Sequence, residues 1–219
     1  MRQHIKKWCI AAWLVGAAAT VAGCGVARGE AAGPGAVLYE SCDSCHGTGG
    51  AGDASLGAPR IAGLPKWYVA SQVERFQNGL RGKHFDDVEG LRMRAMAKQM
   101  MSKAEIDAVA AHVAALPVVI SAPSLTVTNR PAAEGTFAAC ASCHGQKGEG
   151  TEALNAPPLA GLDDWYLARQ LRKFQSGVRG TGKSNSGEVD TLGAQMSAMS
   201  QAVPPPDVDN MAAFLHGLK

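Results

Sequence analysis

The 219-residue chain is poor in aromatic side chains: five Phe, four Trp and three Tyr make up 5% of it. That is a thin supply of large core residues for its size, and a buried prosthetic group would fill the gap. The chain also lacks any basic run beyond its first residues. Its formal charge is +2, and setting aside Arg2, Lys6 and Lys7 takes it to −1. A near-neutral body has no strong hold on phosphate, so nucleic acid is excluded as a partner. No segment alternates apolar and polar residues in the manner of a half-buried strand, which leaves an all-α chain.

Residues 1–23 have the layout of a secretory signal. Positive charge comes first, and the apolar run Ile10 to Ala22 is too short for a comfortable membrane span. Val21-Ala22-Gly23-Cys24 resembles the lipobox of bacterial lipoproteins, in which cleavage before the cysteine exposes it for lipidation. The expectation is a periplasmic protein held to a membrane through Cys24, which would otherwise be a stray exported thiol. The alternative is ordinary cleavage near Gly29-Glu30-Ala31, giving a soluble periplasmic form. Cys9 lies within the leader and has no role after its removal.

The other four cysteines fall into a repeat. Cys42-Asp43-Ser44-Cys45-His46-Gly47 matches Cys140-Ala141-Ser142-Cys143-His144-Gly145, and the similarity runs through residues 35–120 and 132–219. Trp67-Tyr68, Gln72, Phe76, Gly79 and Arg81-Gly82 recur as Trp165-Tyr166, Gln170, Phe174, Gly177 and Arg179-Gly180. The second copy then carries five extra residues around Gly182 to Asp190, after which Gly90 to Met96 pairs with Gly193 to Met199. The domains read as 33–120 and 132–219, joined by an extended, proline-bearing linker at 121–131. Each copy is expected to have a helix entering the motif, a Gly/Pro-rich loop, and an amphipathic helix near Pro65–Asn78 or Asp163–Ser176. A loop bearing methionines follows, and then a closing helix near Lys103–Leu116 or Pro206–Leu218.

Two cysteines separated by two residues can each add to one vinyl group of a haem, and the histidine that follows is placed to bind the iron. Cys42, Cys45, Cys140 and Cys143 would carry two haem c groups, with His46 and His144 as proximal ligands. A zinc site would need four ligands where each copy offers two cysteines and one well-placed histidine. A thioredoxin-like pair would need a βαβ context that is missing.

A thioether as sixth ligand stabilises ferrous iron and suits electron transfer. The candidates are Met93 or Met96 in the first copy and Met196 or Met199 in the second. A glycine three residues before each first methionine favours Met93 and Met196. Met100 and Met101 lack counterparts and read as helix packing. His84, unmatched in the second copy, and His112 and His216, read as surface residues of the closing helices, are the rival ligands.

At these residues the chain resembles the dihaem cytochrome c4 family, which would make it two tandem class I cytochrome c domains related by duplication. The resemblance rests on the two haem motifs, the segments Pro59–Gly63 and Pro157–Gly161, the methionine segments and the closing helices. It implies that Pro59 and Pro157 offer their carbonyls to the proximal histidines. Two departures stand out: one extra residue between Met93 and its closing helix, and Pro204-Pro205-Pro206 in place of a polar helix start. The function implied is single-electron transfer, not enzymatic catalysis, from a quinol-oxidising complex or another cytochrome to a terminal oxidase or reductase. The alternatives are an electron-transfer subunit of a dehydrogenase or oxidase complex and a dihaem peroxidase, the latter opposed by methionines in both copies.

Overall fold

Each cysteine motif closes a helix that carries a proline in its first turn. A computed structural model describes residues 33–100 and 102–219. The leader with Cys9, the lipobox Cys24 and Met101 lie outside the described residues. Helix α1 spans Pro34–His46, and its counterpart α5 spans Arg130–His144. Proline in the first turn loses no hydrogen bond, because that N–H has no helical partner. Asn129 caps α5 by accepting from the Ala132 N–H at 3.1 Å.

Helices α2 (Lys66–Asn78) and α6 (Asp164–Gln175) bury matching faces: Ala70, Val73 and Phe76 in one, Leu167, Ala168, Leu171 and Phe174 in the other. Next come α3 (Val88–Ala97) and α7 (Thr191–Ser200), which carry the methionines. This corrects the expectation of a methionine loop. Both helices are nucleated by an aspartate cap, Asp87 accepting from the Gly90 N–H at 3.1 Å and Asp190 from the Gly193 N–H at 2.7 Å. The closing helices are α4 (Lys103–Ala115), begun by a Ser102/Glu105 capping box, and α8 (Val208–His216). The triple proline feeds a single 3₁₀ turn, Pro205–Asp207, so that α8 starts at Val208.

Each copy packs the same way: the closing helix lies against the first and second helices, and the methionine helix against the second. The second copy has one continuous core, built on Phe137, Leu171, Met211, Phe214 and Leu215, which extends to Leu64 of the first copy. The first copy has two smaller clusters, around Phe76 and Ile106 and around Tyr39 and Val113. Among the described residues no strand forms, only isolated bridges such as Asp53 with Ala58 and Thr151 with Ala156.

Ala32–Lys219 is one compact unit, and its two copies are tied together by buried polar contacts. Arg60 is 5% exposed and donates to the carbonyls of Ala62 and Gly161, each at 2.7 Å, while its N–H donates to Asp163 at 2.7 Å. Asp163 also accepts from Ser121, and Asp164 accepts from Ser124 and Leu125, so the linker is strapped along the second copy. Helix α5 begins at Arg130, within the segment read as linker. Arg60→Ala would leave two buried carbonyls without donors. It should cost about 2–6 kcal/mol in urea unfolding of the holoprotein, from roughly 1–3 kcal/mol for each of the two unmet groups.

The five-residue insertion works as a clasp. The Asn185 N–H donates to the Asn78 carbonyl at 2.6 Å, and the Asn185 side chain to that of Gln77 at 3.2 Å, while Asp190 pairs with Arg75 of α2. Nearby, Glu89 accepts from Arg169 and Lys173, each at 2.8 Å. Burial opposes ionisation of Glu89, but Lys173 and Arg169 outweigh it and hold the carboxyl below its ordinary value. Asp164 is likewise depressed, burial being overcome by hydrogen bonds from Ser124, Leu125 and Trp165. A depressed carboxyl stabilises the fold above its unfolded pKa, near ~4, and that stabilisation is lost as pH falls through the folded value. Thermal unfolding of the holoprotein should therefore show falling stability below about pH 4, and Glu89→Gln should reduce that slope.

Candidate haem-binding sites

The helix ends set the geometry of both histidines. α1 stops at Gly47 (φ 75°) and α5 at Gly145 (φ 82°), and the chain then turns back under the imidazole. Gly52 and Gly150, both at φ 83°, bond to the carbonyls of His46 and His144 at 2.9 and 2.8 Å. A Cβ at either glycine would run into the backbone of Pro59–Arg60 or Pro157–Pro158, so glycine is required by space as well as by dihedral. The result is that Pro59 and Pro157, thirteen residues on from their histidines, present carbonyls to the rings.

His46 Nδ1 lies 2.8 Å from the Pro59 carbonyl, and His144 Nδ1 lies 2.8 Å from that of Pro157. A carbonyl only accepts, so Nδ1 carries the proton and donates, and the Nε2 lone pair of each ring is left for another partner. Burial pushes both imidazoles below their ordinary pKa, outweighing the carbonyl bonds that favour the proton. Each ring is therefore a neutral, oriented donor, the form that iron binds. Cys42 and Cys140 are half-buried beside them, and Cys45 and Cys143 are exposed.

In the second copy these residues wall a cavity. Cys140, Cys143 and His144 line one side of it, Leu171 and Phe174 of α6 another, and Met196 and Met199 of α7 a third. Met196 is half-buried and packed against the main core, whereas Met199 is 43% exposed. Met93 of α3 packs on the first copy's core, while Met96 accepts from Gln99 at 3.5 Å. The rival histidines are otherwise engaged. His84 Nδ1 accepts from the Asp86 N–H at 3.2 Å, and His112 packs on the Tyr39 ring with centroids 5.1 Å apart. His216 is buried rather than on the surface, and its Nδ1 donates to the Leu162 carbonyl at 2.8 Å. It faces inward because almost every residue of α8 is enclosed by α5 and α6.

The cavity opens towards the first copy, whose Trp67, Tyr68 and Gln72 also line it. There Arg81 donates to Gln72 at 2.9 Å, to Tyr166 at 2.9 Å and to Gln170 at 3.3 Å. Arg179 donates in turn to Gln170 at 2.8 Å and Gln72 at 3.2 Å. Among the described residues neither guanidinium forms an ion pair, so two enclosed cations face each other with neutral partners. Burial would raise the Tyr166 pKa, but Arg81 and Arg179 outweigh it and hold it below its ordinary value. Such a pair calls for anions. A group with an apolar plate, two sites for thioether attachment, an iron needing nitrogen and acidic side arms answers every feature of this cavity, and haem c is such a group. Sequence reasoning did not pick out the Arg81/Arg179 pair. Its signal was present in the recurrence of Tyr68, Gln72 and Arg81 as Tyr166, Gln170 and Arg179.

The cytochrome c family model matches residues 32–117 and 132–219. The chain therefore belongs to the cytochrome c family, as two tandem copies of its domain. More closely, it is a dihaem electron-transfer cytochrome with two covalently bound haem c groups, and it is similar to the cytochromes c4. A thiosulfate dehydrogenase electron acceptor of Thiomonas intermedia is 33% identical over 175 residues, 74% of this chain and 75% of that protein. One of Stutzerimonas stutzeri is 35% identical over 64% of this chain, and that alignment spans 65% of the relative's length. Cytochrome c4 of Pseudomonas aeruginosa is 26% identical over 88% of this chain and 90% of its own. Thiosulfate dehydrogenase (TsdBA) of Marichromatium purpuratum superposes with a TM-score of 0.65 and 29% identity, over 85% of this chain and 40% of the larger one.

Proposed function

We propose that the chain is an extracytoplasmic one-electron carrier in which His46 and Met93 ligate one iron and His144 and Met196 the other. The observation that carries the histidine assignment is the Nδ1–proline bond repeated in both copies, which leaves the Nε2 lone pair of each ring for iron. Haem supplies an iron that cycles between ferric and ferrous states. The protein's part is to hold the imidazole neutral and oriented through Pro59 or Pro157, and to keep water out with Leu171 and Phe174. With two protein ligands for each iron no position would be left open to substrate, which suits relay over catalysis. A spectrally monitored potentiometric titration tests this reading. It should resolve two low-spin haems, and a high-spin or carbon-monoxide-binding haem in the native protein would reject it.

The donor that the relatives' names favour is a thiosulfate-oxidising dehydrogenase. A quinol-oxidising complex or another cytochrome is the second reading, with a terminal oxidase or reductase downstream. Similarity to subunits of cbb3-type oxidases supports that outlet. Reduction of both haems by thiosulfate only when such a dehydrogenase is added would support the first donor. Tethering through a lipidated Cys24 would place the carrier on a membrane in the periplasm. Cys24→Ser should then shift the protein from the membrane to the soluble fraction, and unchanged membrane association would refute the anchor.

A further inference from the structure

The two methionine helices are of equal length and differ in charge, one cationic on its outer face and the other neutral. The outward positions of α3 are Val88, Leu91, Arg92 and Ala95, followed just past its end by Lys98 and Gln99. Their counterparts on and after α7 are Thr191, Ala194, Gln195, Ala198, Gln201 and Ala202, with no charge among them. Beside α3 stand exposed Lys83 and Phe85, the latter 77% exposed and stacked on His84 at 4.7 Å. Arg94, half-buried on the same helix, has a buried Nε with no partner. Among the described residues Lys83, Arg92, Arg94 and Lys98 enter no ion pair, whereas Asp87 and Glu89 at the start of α3 are neutralised by Lys173 and Arg169 of the second copy. The second copy thus neutralises Asp87 and Glu89 on this face, and the exposed Asp86, beside His84, is the acid that remains there against the unpaired Lys83, Arg92, Arg94 and Lys98.

We propose that the outer face of α3, with Phe85, is the docking surface for an acidic redox protein, so that electrons pass to or from that partner through the first haem and not the second. This rests on the carrier reading above. An apolar centre of Phe85, Val88 and Leu91 within a cationic rim is the layout of a weak, fast protein encounter, in which charge sets the association rate and a small apolar contact holds the register. A helix lying in a lipid surface segregates its apolar and basic faces. Here Leu91 and Arg92, and Ala95 and Lys98, share one face, which favours a protein partner over an anionic membrane. The same helix carries Met93 on its inner side, so a partner seated on α3 is separated from that ligand by about one helix diameter, ~10 Å.

The test uses the full haem-loaded chain and reduced flavodoxin, a small acidic one-electron donor, as the probe in stopped-flow reduction. At low ionic strength Arg92→Glu with Lys98→Glu should slow the second-order rate at least about tenfold and flatten its salt dependence. The pair Ala198→Glu with Gln201→Glu on the α7 side, both exposed and outside the cavity lining, should change the rate by less than about twofold. Equal effects from the two pairs, or none from the α3 pair, overturn the proposal. So does loss, in the α3 variant, of co-sedimentation with phosphatidylglycerol vesicles without any change in flavodoxin rate, which would assign the face to a membrane. Complete two-haem reduction by dithionite in every variant keeps the carrier reading intact, and its failure in the unmutated protein would instead reject that reading.

Discussion

Cys140→Ala combined with Cys143→Ala yields a protein with one haem per chain and a second domain that has lost its fixed structure. Both sulfurs lie on the last turn of α5, and no other cysteine is available in that copy to retain the group covalently. The consequence goes beyond a missing colour. Leu171, Phe174, Met196, Met211 and Leu215 all line one cavity, each turned towards a space that no side chain of this domain occupies. Losing contact atoms around one large apolar side chain costs about 2–5 kcal/mol. Here several such side chains lose their partner at once, against a total stability of roughly 5–15 kcal/mol for a domain. The haem content, measured as the pyridine haemochrome, should fall from two to one, and helical circular dichroism should drop towards half. The first copy keeps its own clusters around Phe76 and Tyr39 and should keep its haem. Retention of full helicity in the variant would show that the cavity collapses onto an adequate core of its own.

What could be read from the sequence, and what could not, follows from the kind of force involved. Helices α2, α4, α6 and α8 were legible because each buries one stripe of side chains, so that periodicity marks them. Helices α3 and α7 were not, because they bury little besides Gly90 and Ala97, or Gly193 and Ser200. They exist through an aspartate cap and through close approach: a Cβ at Gly82 or Gly180 would collide with the carbonyl of Gly90 or Gly193. The haem motifs were fully legible, since covalent attachment fixes residue type and spacing. The clasp at Asn185 appeared in the sequence only as extra length, and the Arg81/Arg179 pair only as repetition. A repeat shows which positions recur but not that the two copies turn those positions towards each other. His216 was misplaced for a related reason: the end of a closing helix is exposed in isolation and is covered here by the loop at Leu162.

The methionines proposed as iron ligands give the second large effect. Met196→His should lower the potential of one haem by a few tenths of a volt, within the roughly 0.8 V that axial ligands span, and should abolish half of the iron–thioether absorption. Thioether sulfur is neutral, soft and a weak σ-donor, so it favours ferrous iron, while imidazole nitrogen offsets more of the ferric charge. The same substitution at Met199 should leave both potentials within a few tens of millivolts, because Met199, although it shares the cavity wall with Met196, is 43% exposed and is not packed against the core as Met196 is. Packing also bears on the ligand's reach. Asp190 caps α7 and pairs with Arg75, which ties the start of the methionine helix to the first copy. Ser197 donates to the Phe174 carbonyl at 2.7 Å and fixes the same helix to α6. A methionine on a helix tethered at its start and again at Ser197 could bind iron without a large ordering cost, which would help to keep the thioether bound in the ferric state, where its intrinsic affinity is weakest. The first copy lacks that hydroxyl tether, since Arg94 occupies the position of Ser197. Met93→His should therefore produce the larger change in ligand-exchange rate at the first haem, even where the two drops in potential are equal.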